Sequence, residues 1–498
     1  MITSTLKNTW GLVVLGAIIV GLSYYSWISG LLAWIGFIPF LHSFSIKNQG
    51  SSFLKGYLFG LIQNLIAFYW IGLNSGTSFY IALLSLFAAI CYLSIFWGTF
   101  SVLLSKIKTK NSRLLVFPFL VIILEWLRSV GPLGFPWSNL ALTQIEFLPL
   151  MQIVSYTGSY GVSGLIAFIN VILYYTLTNI TKNKIYLLSI FTLSFLFIWF
   201  WGIRKIEFYN NYFKTFNVAI IQPNIDPNSK WEIENKQEII FYLDSLYNEA
   251  ITLGVDLILF PETAYPTYLR LDKKIRNRIQ NKVNRTQIPC LIGTVDRAVS
   301  IDGEKKYFNS SILFSPNKDI EIYEKVHLVP FAEYVPLSDK LSFLKKINFG
   351  QGNFSHGEKI SVFNLNGLNI ATLICYESSM PSLVTKFVKK GADILTIQTN
   401  DGWLGMSDGP YQHYNIAKIR AIENRIPIIR SGNTGISGMI LPNGISIIEK
   451  PLNSNYVFKV SVPLIDSGSF YSQYGNIFVL LSFITLIIFL VCIQKKYL

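Results

Sequence analysis

Three chemically reactive side chains, Glu262, Lys325 and Cys375, lie close to the ends of short apolar runs. Glu262 follows an apolar run and Pro261, and because proline cannot donate to a sheet ladder, the predicted strand ends at the sheet edge there. Lys325 precedes an apolar stretch bounded by Pro330, where a desolvated ammonium would keep a fixed orientation. Taken singly, such a glutamate or lysine is more typical of a solvated surface charge. Together with the thiol of Cys375, they place three reactive side chains where predicted strands end.

The segment around Cys375 predicts a strand that ends in a turn to a helix. Ser378 or Ser379 is placed to cap a helix that begins at Pro381. A thiol at such a turn faces the positive end of the helix dipole, which favours the thiolate. A free cysteine is more often a buried, inert hydrophobe. The strand-to-helix context favours the nucleophile over that alternative.

The region from about residue 210 to 467 alternates short apolar runs with polar helical patterns. This alternation predicts a layered α/β domain of a size typical for one core. The predicted strands are 216–222, 256–260, 290–294, 310–314, 369–375, 393–398, 426–430 and 457–462. The predicted helices are 236–253, 379–390 and 412–424, and Pro442-Asn443-Gly444 predicts a hairpin turn between 437–441 and 445–449.

Long apolar segments flank this region, and they predict a multi-pass α-helical membrane domain. Apolar residues make up 51% of the 498 residues and charged residues 14%, with a mean hydropathy of +0.42. Seven segments precede residue 204, near 11–28, 31–44, 53–73, 79–104, 114–127, 162–177 and 186–203, and an eighth spans 477–493. The second and fifth are short for a span of about 20 residues. The predicted division is 1–209, 210–467 and 474–494.

The net charge of +14 is explained better by membrane topology than by nucleic-acid binding. If the helices alternate, the basic loop residues fall on one side of the membrane, and the opposite loop 72–78 carries no charge. These basic residues are Lys7, Lys47, Lys55, Lys106, Lys108, Lys110, Arg113, Lys182, Lys184, Lys495 and Lys496. We therefore expect both termini in the cytoplasm and the 210–467 domain outside it. A second span follows the first helix almost at once, which favours a retained anchor over a signal peptide.

The cysteines and histidines give no sign of a metal or a disulfide framework. The four cysteines have no CxxC spacing, and the four histidines have no metal-ligand spacing. No cofactor is expected.

The order Glu262, Lys325, Cys375 with these flanks resembles the nitrilase superfamily, whose Glu-Lys-Cys triad lies on an αββα sandwich. Within it the chain resembles the apolipoprotein N-acyltransferases over its whole length. The further matching stretches are Glu125-Trp126-Leu127-Arg128, Gly134-Phe135-Pro136-Trp137, Gln222-Pro223-Asn224, Lys230-Trp231, Pro330-Phe331-Ala332-Glu333-Tyr334-Val335-Pro336, Asn400-Asp401-Gly402-Trp403, Gln412-His413 and Asn433-Thr434-Gly435.

The resemblance implies a bacterial inner-membrane enzyme that completes lipoprotein maturation, with its catalytic domain in the periplasm. It would transfer a fatty acyl chain from a phospholipid to the α-amino group of an S-diacylglyceryl cysteine, through a thioester on Cys375. Glu262 would be the proton acceptor and Lys325 the oxyanion stabiliser. Glu333, Tyr376 and Glu377 match supporting positions of the family.

Three aromatic side chains are candidates for substrate binding. Trp231 and Trp403 would line the lipid entrance, although a core role fits them about as well. Phe349 belongs to an apolar loop, 343–349, that would cover the thioester against water.

Three alternatives compete with this hypothesis. A tethered nitrilase or amidase needs one anchor and not eight helices. A papain-like Cys–His pair using His327 or His413 leaves Glu262 and Lys325 without a role. A membrane scaffold or transporter is disfavoured because the helices lack repeated charged residues at mid-membrane and the three reactive residues are intact.

Overall fold

A computed structural model describes residues 8–25, 28, 30–45, 51–179, 184–210, 214–299, 303–336 and 353–495. The chain divides into two compact units. The first consists of Met1–Gly72, Leu83–Phe208 and Tyr474–Leu498, and the second of Leu73–Ala82 and Tyr209–Gln473.

The first unit is helical, and a helix covers the main part of each of the eight apolar segments. The main helices are α1 (Thr9–Leu22), α2 (Ala33–Ser43), α3 (Ser52–Phe68), α4 (Phe79–Ser105), α5 (Lys110–Ser129), α6 (Ser159–Thr178), α7 (Lys184–Asn210) and, at the end of the chain, Ile477–Lys495. Among the described residues, five helical stretches are long and apolar enough to cross a membrane by length and composition. They are Ser52–Leu73, Phe79–Ser105, Ser159–Thr178, Leu188–Asn210 and Ile477–Gln494, while Thr9–Leu22 and Gly30–Ser43 are shorter apolar helices.

A buried ion pair organises the end of α5. Arg128 and Glu125 lie 3.7 Å apart with almost no exposed side-chain surface. The carboxylate of Glu125 accepts from the Leu140 amide at 2.8 Å, and the Arg128 guanidinium donates to the Ser138 carbonyl at 2.7 Å. Buried charges persist in this way only when they are paired and hydrogen-bonded. The pair therefore holds the segment after Gly134 against α5.

The second unit contains two six-stranded sheets. The strands are β1 (Thr215–Gln222), β2 (Leu257–Leu259), β3 (Cys290–Val299), β4 (Lys305–Phe314), β5 (Glu321–Glu324), β6 (Val362–Leu365), β7 (Leu368–Ile374), β8 (Ile394–Thr399), β9 (Ile428–Gly432), β10 (Ser437–Ile440), β11 (Ser446–Lys450) and β12 (Tyr456–Pro463). One sheet has the order β12-β1-β2-β3-β4-β5 and the other β11-β10-β9-β8-β7-β6. The central strands β1–β3 and β7–β9 are parallel. Among them β2 and β8 are buried along their whole length, which explains their continuous apolar runs.

Helices cover the sheets, and the resulting αββα sandwich confirms the predicted fold class. They are α8 (Lys236–Ile251), α9 (Lys273–Thr286), α10 (Pro381–Lys389) and α11 (Asp408–Asn424). Helix α9 was not predicted, because its composition is strongly basic and only Ile275, Ile279 and Val283 are buried. Strands β5 and β6 were also missed, since four-residue strands with only one or two buried residues carry little signal.

Candidate active site

Glu262 lies three residues beyond the end of β2. Its neighbour Thr263 has a positive φ of 44°, which marks the sharp turn after Pro261. A side chain at Gly293 would place its Cβ 2.4 Å from the Pro261 carbonyl oxygen and 2.6 Å from the Glu262 Cα. Glycine is therefore required at Gly293 for this approach of the backbone. Asn309 on β4 donates its side-chain amide to the Glu262 carboxylate at 2.7 Å.

Lys325 follows β5 and is almost completely buried, with 1% of its surface exposed. Its Nζ lies 2.8 Å from the Glu333 Oε1 and 3.8 Å from the Glu262 Oε1. Burial alone lowers the pKa of Lys325, but the charges of Glu333 and Glu262 outweigh it and hold the pKa above its usual range. The ammonium is therefore kept charged in a fixed position.

Glu333 binds the loop that carries Lys325, residues 325–333 (the lysine loop), through both carboxylate oxygens. Oε1 accepts from Lys325 and, at 3.1 Å, from the Asn309 side chain, while Oε2 accepts from the Val329 amide at 2.8 Å. Burial raises the pKa of Glu262, Lys325 lowers it, and Glu333 raises it. The net pKa of Glu262 lies above its usual range, which suits a carboxylate that must accept a proton near neutral pH.

Cys375 begins a five-residue 3-10 helix, Cys375–Ser379, directly after β7. Its φ of 50° is left-handed, a conformation that costs a non-glycine residue about 1–2 kcal/mol and is often found at active sites. Glu262, Lys325, Asp401 and the Thr399 hydroxyl all influence the thiol, so the structure brings the three predicted residues together.

Two expectations for Cys375 were wrong. The N-cap of α10 is Met380, and no side chain caps that helix. The Ser378 hydroxyl instead donates to the Cys375 carbonyl at 2.9 Å, and Ser379 donates to the Tyr376 carbonyl at 2.7 Å. Burial and the charge of Glu262 raise the pKa of Cys375 despite Lys325, so the resting form is the thiol and not the thiolate. The 3-10 turn separates the cysteine from the helix dipole that was expected to lower its pKa.

Glu377 connects the 3-10 turn Cys375–Ser379 (the nucleophile turn) to the lysine loop. Its Oε1 accepts from the Tyr323 hydroxyl at 2.8 Å and from the Val326 and His327 amides at 2.7 and 3.0 Å. Its Oε2 accepts from the Ile374 amide at 2.8 Å. Burial raises the pKa of Glu377 to about 7. This one carboxylate therefore fixes the spacing between the backbone next to Lys325 and the backbone next to Cys375.

A second group of polar side chains lies near Cys375. The thiol, the Asp401 carboxylate and the His413 imidazole have donor atoms within 4.8 Å of one another, a set that could hold a metal ion. However, His413 Nδ1 lies 2.8 Å from Asp401, and its Nε2 lies 2.9 Å from Ser378. Arg430 contacts both Asp401 and His413 and places a positive charge where a cation would bind. The arrangement fits a hydrogen-bonded network better than a metal site.

A cavity of about 530 Å³ opens beside Glu262, within the size range typical of small-molecule sites. Trp231 and Trp403 both line it, as the substrate-binding hypothesis requires. Its other lining residues are Gly76, Pro227, Asn228, Thr263, Tyr268, Val295, Tyr307, Asn309, Glu333, Asn353, Phe354 and Asn400. Phe349, the third candidate, lies outside the described residues.

Close relatives identify the family. The chain is 33% identical over 489 residues to the apolipoprotein N-acyltransferase of Geobacter metallireducens, covering 95% of this chain and 92% of that protein. The apolipoprotein N-acyltransferases of Chlorobaculum tepidum and Rickettsia prowazekii are 29% and 32% identical, covering 95% and 93% of this chain and 94% and 95% of those proteins. The chain belongs to the apolipoprotein N-acyltransferase family.

Two family models match the two parts of this acyltransferase. Residues 16–172 match the apolipoprotein N-acyltransferase N-terminal domain, and residues 217–464 match carbon-nitrogen hydrolase. A mutant amidase of the nitrilase superfamily from Nesterenkonia AN1 is similar to the chain at 19% identity and a TM-score of 0.40. That likeness covers 52% of this chain and 94% of the amidase. The predicted family and the acyltransferase class of the enzyme are thus confirmed.

The sequence did not assign a role to several residues of this site. Asn309 lies within a strand of ordinary appearance, and only the tertiary fold places it between the two carboxylates. Asp401 was noted only as part of a matching motif, His413 also as the imidazole of the disfavoured papain-like pair, and Arg430 only as a strand residue. Lys230, 1% exposed and with no described acceptor for its Nζ, was noted only beside Trp231.

Proposed function

We propose that this acyltransferase moves a fatty acyl chain from a phospholipid to the N-terminal α-amino group of an S-diacylglyceryl cysteine in a lipoprotein, by a ping-pong mechanism. The observation that carries the proposal is the buried ammonium of Lys325, which is held by two carboxylates that both line a cavity and interacts electrostatically with Cys375. The names of the relatives support the apolipoprotein as acceptor.

In the first half-reaction, Cys375 Sγ attacks the ester carbonyl of the phospholipid. The pKa of the thiol is raised, so a base must remove its proton, and Glu262 is the carboxylate suited to accept it. The Lys325 ammonium and the Tyr376 backbone N–H stabilise the oxyanion of the tetrahedral intermediate. Glu262 then gives the proton to the lysophospholipid oxygen as the C–O bond breaks, and a thioester remains on Cys375.

In the second half-reaction, the lipoprotein amine attacks the thioester carbonyl. Glu262 takes a proton from the attacking nitrogen, and the C–S bond breaks to form the amide. The proton held by Glu262 returns to the departing Cys375 sulfur, which restores the resting thiol. Glu333 keeps Lys325 oriented, while Glu377 and Tyr376 maintain the nucleophile turn.

The lipid nature of both substrates accounts for the membrane domain. We propose seven membrane helices within residues 1–209, a periplasmic catalytic domain within 210–467 and a last helix at 474–494, with both termini in the cytoplasm of a bacterium with an inner membrane. The one-sided distribution of loop lysines and arginines supports this orientation. Trp231 and Trp403 at the cavity suit contact with an acyl chain.

Phe349 is proposed as part of an apolar cover that keeps water from the thioester. Replacement by serine (F349S) should slow acyl transfer or raise thioester hydrolysis, measured as free fatty acid released per amide formed. Unchanged kinetics would rule out a cover at this residue.

Mass spectrometry of the Cys375 peptide after incubation with phospholipid alone tests the mechanism. An acyl adduct is expected on Cys375 in the wild-type enzyme and should be absent in Cys375→Ala. An active enzyme that forms no adduct in the absence of acceptor would exclude the ping-pong scheme. Acyl transfer that persists in Cys375→Ala would exclude Cys375 as the nucleophile.

A further inference from the structure

A buried series of four polar side chains reaches the backbone of Cys375. Arg430 Nη2 donates to Asp401 Oδ2 at 2.5 Å, and Asp401 Oδ1 lies 2.8 Å from His413 Nδ1. His413 Nε2 lies 2.9 Å from the Ser378 hydroxyl and 3.2 Å from the Cys375 carbonyl oxygen. Arg430, Asp401, His413 and Ser378 are each at most 3% exposed. Removing polar groups from water is costly unless they are hydrogen-bonded or paired, as these four side chains are.

The charge state of Asp401 orders this series. Burial raises the pKa of Asp401, but Arg430 and His413 outweigh it and hold the carboxyl group well below its usual pKa range. Burial and Arg430 lower the pKa of His413, so the imidazole is neutral near pH 7. The ionised Asp401 carboxylate faces His413 Nδ1, and Nε2 at the other end of the ring faces the Ser378 hydroxyl, which itself donates to the Cys375 carbonyl oxygen.

Three motifs that the triad leaves unused meet at Asp401. The carboxylate itself belongs to Asn400-Asp401-Gly402-Trp403, and its imidazole partner belongs to Gln412-His413. The third motif, Asn433-Thr434-Gly435, supports it from the side, because a Cβ at Gly435 would lie 2.5 Å from Asp401 Oδ2. The Asn433 side chain also donates to Asn400 Oδ1 at 3.1 Å. The packing around Asp401 therefore leaves no space for another methyl group.

The four polar side chains act on the nucleophile through the backbone of Cys375. The Cys375 carbonyl oxygen accepts from Ser378 at 2.9 Å, and the imidazole of His413 packs against the same oxygen. A residue with a positive φ keeps that conformation only when its surroundings fix it. The φ angle of Cys375 sets the direction of its Cα–Cβ bond. By holding that angle, the four polar side chains fix where Sγ points.

We propose that Arg430, Asp401 and His413 are positioning residues that act through Ser378 to hold the strained turn of Cys375 and aim its sulfur at the substrate carbonyl. This inference rests on the proposed role of Cys375 as the nucleophile. It differs from a papain-like mechanism, in which the imidazole would take the thiol proton. In the proposed arrangement, Glu262 remains the base and His413 exchanges no proton with the substrate.

The test compares Asp401→Asn, His413→Gln and Gly435→Ala with the wild-type enzyme in two reactions of the same thiol. Acylation by phospholipid requires alignment with Lys325 and the ester carbonyl, whereas alkylation by iodoacetamide does not. A displacement of about 1 Å costs about 10²-fold in an aligned reaction. We expect the acylation rate to fall by about that factor in all three variants, while the alkylation rate and the midpoint of its pH profile stay at wild-type values in His413→Gln and Gly435→Ala. Asp401→Asn removes a charge that raises the pKa of Cys375, so its alkylation midpoint should move to lower pH.

Glu423→Gln is the matched control, because Glu423 is a buried carboxylate on the same helix as His413 and pairs with Arg420. It should leave both rates unchanged. A shifted or lost acid limb of the alkylation profile in His413→Gln would overturn the proposal in favour of a base. Equal loss of acylation and alkylation, in step with a lower folded fraction, would show a structural role alone. Gly435→Ala, which alters no polar group, keeps the test open if the other variants fail to fold. A wild-type enzyme without an adduct on Cys375 would instead refute the proposed function.

Discussion

Replacing Glu333 with glutamine would separate the orienting role of this carboxylate from its charge. Glu333 accepts three hydrogen bonds, from Lys325, Asn309 and the Val329 amide. A glutamine has one oxygen, so in either orientation its NH2 group faces a donor that the carboxylate now satisfies. Loss of one hydrogen bond to a charged group is worth about 3 kcal/mol. If that loss appears in the transition state, the rate of thioester formation falls by about 10²-fold.

The same substitution has a second, independent effect on pH dependence. The negative charge of Glu333 is one of the causes that raise the pKa of Glu262. Removing that charge lowers the pKa of Glu262, so its base form persists to lower pH. The acid limb of the pH–rate profile should therefore move to lower pH, although the plateau falls.

The assay is single-turnover release of lysophospholipid from mixed micelles across a pH series, with thermal unfolding measured in parallel. Glu423→Gln serves again as the control, since it also neutralises a buried carboxylate of an ion pair. An acid limb that stays in place or moves to higher pH would refute the assignment of Glu262 as the base. An unchanged plateau would refute the orienting role of Glu333.

Three further predictions concern residues that support the site. Gly293→Ala should displace Glu262, cost about 1–3 kcal/mol in thermal unfolding and abolish the Cys375 adduct; an unchanged adduct yield would contradict the close approach. Glu377→Gln places an amide against one of four donors and should lower the free energy of unfolding by about 1–3 kcal/mol, measured by tryptophan fluorescence in detergent. Burial lowers the pKa of Lys230 from 10.5 to about 7 in the folded chain, so its contribution to stability falls as pH decreases from 10.5 to 7. The free energy of unfolding of Lys230→Met should therefore exceed that of the wild type by a few kcal/mol at pH 7 and nearly equal it above pH 10.5. A difference in free energy of unfolding that does not change with pH would contradict the burial of a free amine.

The sequence determined most of the architecture because the two kinds of element have different apolar patterns. Continuous apolar runs near 79–104 and 477–493 have no reading other than a buried or membrane helix, and helices cover both. Buried parallel strands such as β8 are apolar on both faces, so their positions were also predicted within a few residues. Helix α9 escaped prediction because three spaced apolar residues among many basic ones give a weak signal.

The sequence by itself determined which residues have the right chemistry and that each lies near a strand end. Glu262, Lys325 and Cys375 are separated by more than forty residues from one another along the chain, and no local pattern encodes their meeting. The tertiary fold, through the order of strands β2 to β5 within one sheet, decided that Lys325 lies between two carboxylates, with Asn309 bonded to both. It also decided the protonation states, because desolvation and neighbouring charge depend on the tertiary surroundings. The thiolate expected from the local sequence is a thiol in the fold for this reason, and the proposed mechanism therefore assigns Glu262 to remove its proton.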